Sequence, residues 1–324
     1  MQDHVAFAYA LSGPEKGRKL SGDAEISAAL QSQDLAWLHL QADHPEADDW
    51  IDRHLDYLDP SIRDALTERQ TRPRTLHLGE GVLVILRGIN LNAGADPEDM
   101  VSIRLYADPA RIVSLSRRPV RSVEALAEAV GAGRGPERAG SFLADLVEEL
   151  TDRIEVQVAD LEMRADDLET RTIEAPQGES RPEVADQRLE LSELRRFLSP
   201  QREAVRELAR GQLPWLTEGD TRKLGEQLDQ LTRVTETLEA MREQLATIRD
   251  EIEGARADRL NRNLYVLSVI SAVFLPLGFL TGLMGINLAG MPGAEWTPAF
   301  WVFSAGLVGV SAGVLGVLKA FDIL

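Results

Sequence analysis

The chain has 324 residues, and 35 Lys or Arg against 53 Asp or Glu give it a formal net charge of −18 at pH 7. This charge argues against a nucleic-acid partner, because binding to phosphates depends on Lys and Arg, and it favours the accumulation of cations. The absence of cysteine excludes disulfides and thiolate metal ligands. The first residues have no basic segment followed by a long apolar run, so we expect no signal peptide.

Residues 1–138 alternate between patterns typical of strands and of helices. The strand candidates are rich in β-branched residues and bounded by turn residues: His4–Ala10, Leu35–Leu40, Val82–Ile89, Val101–Tyr106 and Arg111–Ser116. The helix candidates have a proline near their start: Pro45–Tyr57, Pro60–Arg69 and Val120–Val130. The sequence therefore predicts a mixed α/β domain. It contains no constellation of nucleophile, base and cofactor residues, so we do not expect an enzyme.

The histidines of the chain all fall in this domain: His4, His39, His44, His54 and His77. Their spacing along the sequence does not match that of known metal-ligand motifs. We interpret each of them as a surface residue or a hydrogen-bonded core residue rather than as a zinc ligand.

Residues 139–212 have the period of a long amphipathic helix that is interrupted once. Apolar residues recur every seven positions, at Val147, Ile154, Leu161 and Leu168. A segment rich in Pro, Gly and Ser between Glu174 and Pro182 breaks the pattern, so we predict a helical hairpin.

Two interleaved seven-residue series follow, and they predict a seam of the coiled-coil kind. Their members are Leu231, Leu238, Leu245 and Ile252, and Val234, Met241, Ile248 and Ala255. We predict one helix from about Thr217 to Met284, on the order of 100 Å long at 1.5 Å per residue. It combines a stalk, residues 213–262, with a first apolar span, residues 263–284.

The side of the stalk opposite this seam carries four acids spaced seven residues apart. This acidic column consists of Asp229, Glu236, Glu243 and Asp250. In an oligomer around an axis, the column would form rings of carboxylates that concentrate cations at a channel mouth. Alternatively, it is an ordinary solvated helix face, and a straight helix drifts by ~20° per heptad, so the column need not stay aligned.

Two apolar spans follow the stalk, and each is near the ~20 residues that cross a bilayer. The second span covers residues 299–319, a loop of residues 285–298 joins the two, and residues 320–324 form a tail. Basic residues flank the spans on the side away from the loop: Arg249, Arg256, Arg259, Arg262 and Lys319. The loop carries one charged residue, Glu295, so the positive-inside rule predicts cytoplasmic termini and an external loop.

The loop begins with Gly285-Ile286-Asn287 directly after the first span. At this place the chain resembles the CorA family of divalent metal transporters, whose motif there is Gly-Met-Asn. Residues 274–293, and also 72–74, 81–90 and 96–104, look like the ZntB branch of zinc transporters, and the resemblance extends over nearly the full length. Ile286 departs from the Met of magnesium transporters, and ZntB-like chains vary at this position.

The resemblance implies an α+β membrane protein that forms a funnel-shaped homopentamer in the bacterial inner membrane. The first span of each subunit would line the pore, with Asn287 contacting a hydrated cation through its amide beside Gly285 and Ile286. The pore-lining residues implied by matching the motif are Leu264, Leu267, Ser271, Leu275, Gly278 and Gly282. Leu267 and Leu275 are candidate hydrophobic constrictions, which gate by dewetting. The alternative for these side chains is ordinary packing against lipid or another helix.

The function implied by the resemblance is transport of divalent cations, with Zn²⁺ as the expected cargo, and the resemblance also suggests coupling to protons. The predicted pore has no His, Cys or carboxylate, although zinc prefers nitrogen and sulfur ligands. Magnesium keeps its waters, so a hydrated cation of either kind suits such a pore. Neither span has a titratable residue that could relay protons, and Glu295 and Asp250 are the nearest candidates.

Two functions are alternatives to zinc transport: a Mg²⁺ or Co²⁺ channel of the same architecture, and a membrane-anchored sensor or scaffold. No cofactor is expected besides the transported cation.

Overall fold

The computed structural model of the chain describes residues 4–68, 71–175, 181–210, 213–286, 291, 293 and 295–320. The chain divides into two units, Met1–Arg249 and Asp250–Leu324. The first unit contains a β-sheet and its covering helices, and the second contains two long apolar helical segments.

One six-stranded mixed sheet organises the first unit. Its strands are β1 Val5–Ala10, β2 Ala36–Gln41, β3 Arg74–Leu78, β4 Gly81–Gly88, β5 Val101–Ala107 and β6 Arg111–Ser116. Their order is β1-β2-β6-β5-β4-β3, and β2 and β6 are parallel whereas the other neighbours are antiparallel. The strands predicted from sequence are all present, with ends shifted by no more than one residue. The strand β3 was not predicted, because this edge strand has few buried side chains and a weak alternation of apolar residues.

Three short helices cover one face of this sheet: α1 Asp23–Leu30, α2 Ala47–His54 and α3 Pro60–Thr67. The core on this side combines apolar strand residues such as Leu38 with Trp50 and Ile51 of α2. The helix α3 begins with Pro60, and Asp59 caps it by accepting a 2.8 Å hydrogen bond from the amide of Ser61. The predicted helices α2 and α3 are present but shorter than expected. The helix α1 was not predicted, since only two of its eight residues are buried.

Two long antiparallel helices, α5 Ala139–Glu174 and α6 Arg181–Ala209, follow α4 Arg121–Gly131 and form the predicted hairpin. They contact side chains of the opposite sheet face. The rings of Phe142 and Trp37 lie edge to face at 4.7 Å. Gln201 accepts a 2.6 Å hydrogen bond from the amide of Arg87 and donates one of 3.1 Å to its carbonyl. Thr75 donates to the carbonyl of Ala204 at 2.8 Å. The hairpin is thereby joined to the sheet.

The predicted long helix is confirmed: α7 runs without interruption from Glu218 to Met284, and α8 covers Ala299–Ala320. A reciprocal cap starts α7, because the amide of Thr217 donates to Asp220 Oδ2 at 3.0 Å and the amide of Asp220 donates to Thr217 Oγ1 at 3.3 Å. Arg138, just before α5, donates to both carboxylate oxygens of Asp220, at 2.7 and 3.0 Å. The beginnings of α5 and α7 are therefore held together by a buried carboxylate.

The helices α5 and α7 are parallel and keep a constant register within the first unit. Three polar side chains of α7 each contact acids that lie 78 and 75 positions earlier in the sequence. The contacts join Lys223 to Asp145 and Glu148, Gln230 to Asp152 and Glu155, and Gln244 to Asp166 and Glu169. The repeated offset fixes the rotation of α7 about its axis between Lys223 and Gln244. It therefore also fixes which side of α7 faces away from α5.

Candidate functional site

The predicted pore face of α7 is an exposed strip in the single chain. Its leucines Leu264, Leu267 and Leu275 are 53%, 60% and 71% exposed. Gly278 and Gly282 are also exposed, and Ser271 is half-buried. Apolar side chains exposed in a row require lipid or another protein surface against them. The strip is thus available for contacts outside this chain.

The opposite side of the same helical segment is partly covered. Half-buried residues on that side include Val269, Val273, Pro276, Leu277 and Leu280. At 100° per residue their centre lies roughly 180° from the centre of the predicted pore face.

The half-buried residues of α8 also follow one stripe: Ala299, Phe303, Ser304, Leu307, Ser311, Val314 and Leu318. One covered stripe on each helix is the pattern of two spans that pack side by side. This packing leaves the predicted pore face of α7 open.

Two glycines lie on the predicted pore face near the end of α7, where they present no side chain. A side chain added at Gly278 or Gly282 would meet no heavy atom within 4 Å. The helix ends at Met284, and the amide of Gly285 still donates to the carbonyls of Thr281 and Gly282, at 3.0 and 3.1 Å.

The predicted pore mouth is described only in part. Ile286 is 48% exposed, and it follows the last turn of α7 directly. Asn287, the predicted amide ligand of the hydrated cation, lies outside the described residues. The outer acid, Glu295, is exposed.

Two hydroxyl groups of the first span form hydrogen bonds within the helix. Ser268 donates to the carbonyl of Leu264 at 2.8 Å, and Thr281 donates to that of Leu277 at 2.9 Å. A hydroxyl that donates to the carbonyl four residues earlier needs no water molecule as a partner, which suits a segment inside a bilayer. Pro276 lies inside the helix and removes one backbone donor, which gives a local cause for a bend.

No charged residue occurs in the sequence between Arg262 and Glu295. Both α7 and α8 contain a segment that is apolar enough and long enough to span a membrane.

The acidic column and the apolar seam lie on different sides of α7, as predicted. The seam residues within the first unit are between 0% and 4% exposed: Leu231, Val234, Leu238, Met241, Leu245 and Ile248. Asp250 is exposed and begins the second unit. The acids Asp229, Glu236 and Glu243 lie at the surface, and their carboxylates make no hydrogen bond or ion pair with any residue that the structure describes. These three exposed carboxylates place negative charge on this side of α7.

Two of the histidines have the environments that the sequence suggested. His39 is buried in β2, with its ring nitrogens 2.8 and 3.1 Å from the hydroxyls of Ser114 and Ser116, and burial lowers its pKa to about 4. His77 is exposed on β3.

The other three histidines lie close together in space, and their interpretation as surface or hydrogen-bonded core residues rather than zinc ligands stays a prediction. His4, His44 and His54 come together with two carboxylates beside β1. Sequence spacing carried no signal of this cluster, because its members come from three separate segments and only the folding of the sheet edge joins them.

An α/β unit, a long helix that continues into an apolar segment and a second apolar helix make up a chain with two candidate membrane spans. A family model described as CorA-like Mg²⁺ transporter protein matches residues 32–319. The chain belongs to this family.

Relatives of named function match over most of the chain. The divalent cation transporter CmaX of Pseudomonas aeruginosa is 38% identical over 95% of this chain and 93% of its own length. The zinc transport protein ZntB of Yersinia enterocolitica is 36% identical over 97% of this chain and 94% of its own length. The solved structure of full-length CmaX superposes with a TM-score of 0.84 at 34% identity and covers 99% of both chains.

Proposed function

We propose that the protein transports divalent cations across the bacterial inner membrane. Its family membership supports this function, as do the names of relatives that match along nearly the whole chain. The observation that carries the proposal is the strip from Leu264 to Gly282, in which every predicted residue except Ser271 is exposed and which lies opposite the partly covered side of the same helix. A pore shared between subunits requires such a strip, because the first span of each subunit must face the common axis and not the second span of its own chain.

The assembly in this proposal is a homopentamer with the first span of each subunit around the axis. Two spanning helices cannot enclose a water-filled path, so several chains must contribute. Gly278 and Gly282 allow the helices to approach one another closely, since neither position presents a side chain. The number five comes from the resemblance to the family. In this arrangement Asn287 forms a ring of amides at the outer mouth, beside Gly285 and Ile286.

The acidic column of α7 supplies the attraction for cations in this arrangement. Rings formed by Asp229, Glu236, Glu243 and Asp250 would raise the local cation concentration on the cytoplasmic side. Both termini then lie in the cytoplasm and Glu295 lies outside, in agreement with the basic residues that flank the spans.

We further propose Zn²⁺ as the cargo. The support is the similarity to a relative named as a zinc transport protein, together with Ile286 in place of Met. The pore-lining set offers hydroxyl, amide and apolar groups but no imidazole, thiolate or carboxylate, so the ion passes with its water shell. Coupling to protons would have to use groups outside the spans, such as Glu295 or Asp250, since neither span has a titratable relay.

Flux into proteoliposomes tests the cargo. Uptake of Zn²⁺, Mg²⁺ and Co²⁺ is measured with and without a pH gradient. We expect Zn²⁺ uptake to exceed that of Mg²⁺ and to respond to the gradient. Greater Mg²⁺ flux that is indifferent to pH would instead identify a magnesium channel of the same architecture and refute zinc as the cargo.

Two substitutions separate a pore from a membrane-anchored sensor or scaffold. Asn287→Ala removes the amide ring, and Gly285→Ala adds a methyl group 3.3 Å from the carbonyl of Thr281. We expect both variants to assemble but to lose most of the flux. Unchanged flux in both would mean that the spans only tether the soluble unit.

A further inference from the structure

Three histidines and two carboxylates meet at the edge of the sheet, far along the sequence from the pore-face residues. His4 directly precedes β1, and His44 and Glu46 lie between β2 and α2. Asp23 begins α1, and His54 is the last residue of α2. The antiparallel pairing of β1 with β2 brings these segments together, and the amide of Gln41 donates to the carbonyl of His4 at 2.9 Å.

The donor atoms of this cluster are close enough to share one ion. One ligand atom each from His4, His44 and Glu46 lies within 4.8 Å of the others. His4 Nδ1 is 3.6 Å from a carboxylate oxygen of Glu46. The ligands of tetrahedral zinc are about 3.3 Å apart, given Zn–N and Zn–O bonds near 2.0–2.1 Å. A closure of about 1.5 Å at most in the widest gap therefore completes the geometry.

We propose that His4, His44 and Glu46 form a binding site for a transition-metal dication such as Zn²⁺. Two imidazoles and one carboxylate are a ligand set that zinc accepts, with water in the fourth position. Magnesium and calcium are disfavoured, because they select oxygen ligands. His4 and His44 are half-buried and Glu46 is exposed, so the site is open to an ion from solution.

The other ring nitrogen of His4 has an orienting group. His4 Nε2 lies 3.6 Å from Asp23 Oδ1, and the second oxygen of Asp23 lies 3.9 Å from His54 Nε2. A carboxylate on the far side of a metal-binding imidazole fixes the ring and raises its basicity. Trp50 packs between His4 and His54, with ring-centroid distances of 6.2 and 4.7 Å, and restricts both rings.

His44 already presents a ring nitrogen as an acceptor. Its Nδ1 accepts a 3.2 Å hydrogen bond from the amide of Glu46, the residue before α2. A metal bound at Nδ1 would take the place of this donor. Metal binding requires the neutral form of an imidazole.

The proposal is independent of the transport pore, since none of its residues belongs to the spans. Zn²⁺ binding is measured by calorimetry on the detergent-solubilised full chain, for the wild type and for the double variant His4→Gln/His44→Gln. We expect the double variant to lose one bound Zn²⁺ per chain or to bind it at least tenfold more weakly. The matched control is His77→Gln, which changes an exposed histidine on β3 and should bind like the wild type. Equal Zn²⁺ stoichiometry and affinity in the wild type and the double variant would overturn the site.

Two further measurements keep the result unambiguous. Glu46→Gln changes an exposed side chain and leaves the histidines in place, and it should also weaken Zn²⁺ binding while the thermal midpoint without metal stays unchanged. Added Zn²⁺ should raise the thermal midpoint of the wild type more than that of the double variant, because a ligand that binds only the folded state stabilises it. If the variants alter the midpoint without metal but not the response to Zn²⁺, the cluster is an ion-pair network and the proposal is wrong. Flux in the same variants reports on transport separately.

Discussion

Gly282→Ala should change the stability and the flux of this protein in opposite directions. No heavy atom lies within 4 Å of the position that the new Cβ would occupy, so the methyl group meets no obstacle within the chain. Replacing a glycine inside a helix by alanine stabilises that helix by up to about 1 kcal/mol. A protein that only needs α7 as an anchor would therefore gain stability and lose nothing.

In a shared pore the same substitution adds one methyl group per subunit to the narrow end of the path. We expect Zn²⁺ uptake into proteoliposomes to fall at least tenfold, which corresponds to a barrier higher by about 1.4 kcal/mol. The thermal midpoint of the purified protein should stay the same or rise. Loss of flux together with preserved stability distinguishes an obstructed pore from a misfolded protein.

The matched control is Gly306→Ala in α8. This glycine is also exposed, and a Cβ added to it would also meet no heavy atom within 4 Å, so its gain in helix stability should be equal. It lies outside the predicted pore face, and its flux should match the wild type. Wild-type flux in Gly282→Ala, or equal losses in both variants, would refute the assignment of this face of α7 to the pore.

Three more outcomes follow from the described contacts. Burial alone would raise the pKa of Asp220, but hydrogen bonds from Arg138 and Thr217 outweigh it and lower the pKa, so Asp220→Asn should destabilise the first unit by about 2 kcal/mol in denaturant titrations. Because burial lowers the pKa of His39 to about 4, the unfolded chain takes up a proton on acidification before the folded chain does. Stability should therefore fall between about pH 6.5 and 4, by an amount on the order of 3 kcal/mol, and His39→Gln should flatten this part of a plot of thermal midpoint against pH. Leu275→Ser should raise basal cation flux in proteoliposomes, since a polar group wets a hydrophobic constriction; unchanged flux would remove Leu275 from the pore.

The long helix could be predicted because its signals are local and repeated. The heptads from Leu231 to Ile248 appear as one buried side, and no proline pair or glycine pair separates them from the span that ends at Met284. Gly254 is tolerated inside α7, as its small energetic cost suggested. A periodic pattern over many turns leaves few alternatives to a single helix.

The parts that were missed depend on tertiary contacts. The strand β3 is an edge strand whose pairing with β4 supplies the order that its sequence lacks. The short helix α1 is defined by Ile26 and Leu30 packing against the sheet rather than by a long apolar period. The constant register between α5 and α7 uses Gln and acidic side chains, which are indistinguishable in sequence from a solvated helix surface.

The positions of the histidines separate two kinds of metal chemistry in this protein. The spans contain no imidazole, thiolate or carboxylate, so the proposed pore face would contact an ion through its water shell or through weak neutral oxygens. The nitrogen ligands that would distinguish zinc from magnesium belong to the proposed site in the first unit, at His4 and His44. If Zn²⁺ binds there, its affinity for the chain and its rate through the pore are set by different residues. Binding and flux should then respond to different substitutions, with His4→Gln/His44→Gln changing the first and Gly282→Ala the second.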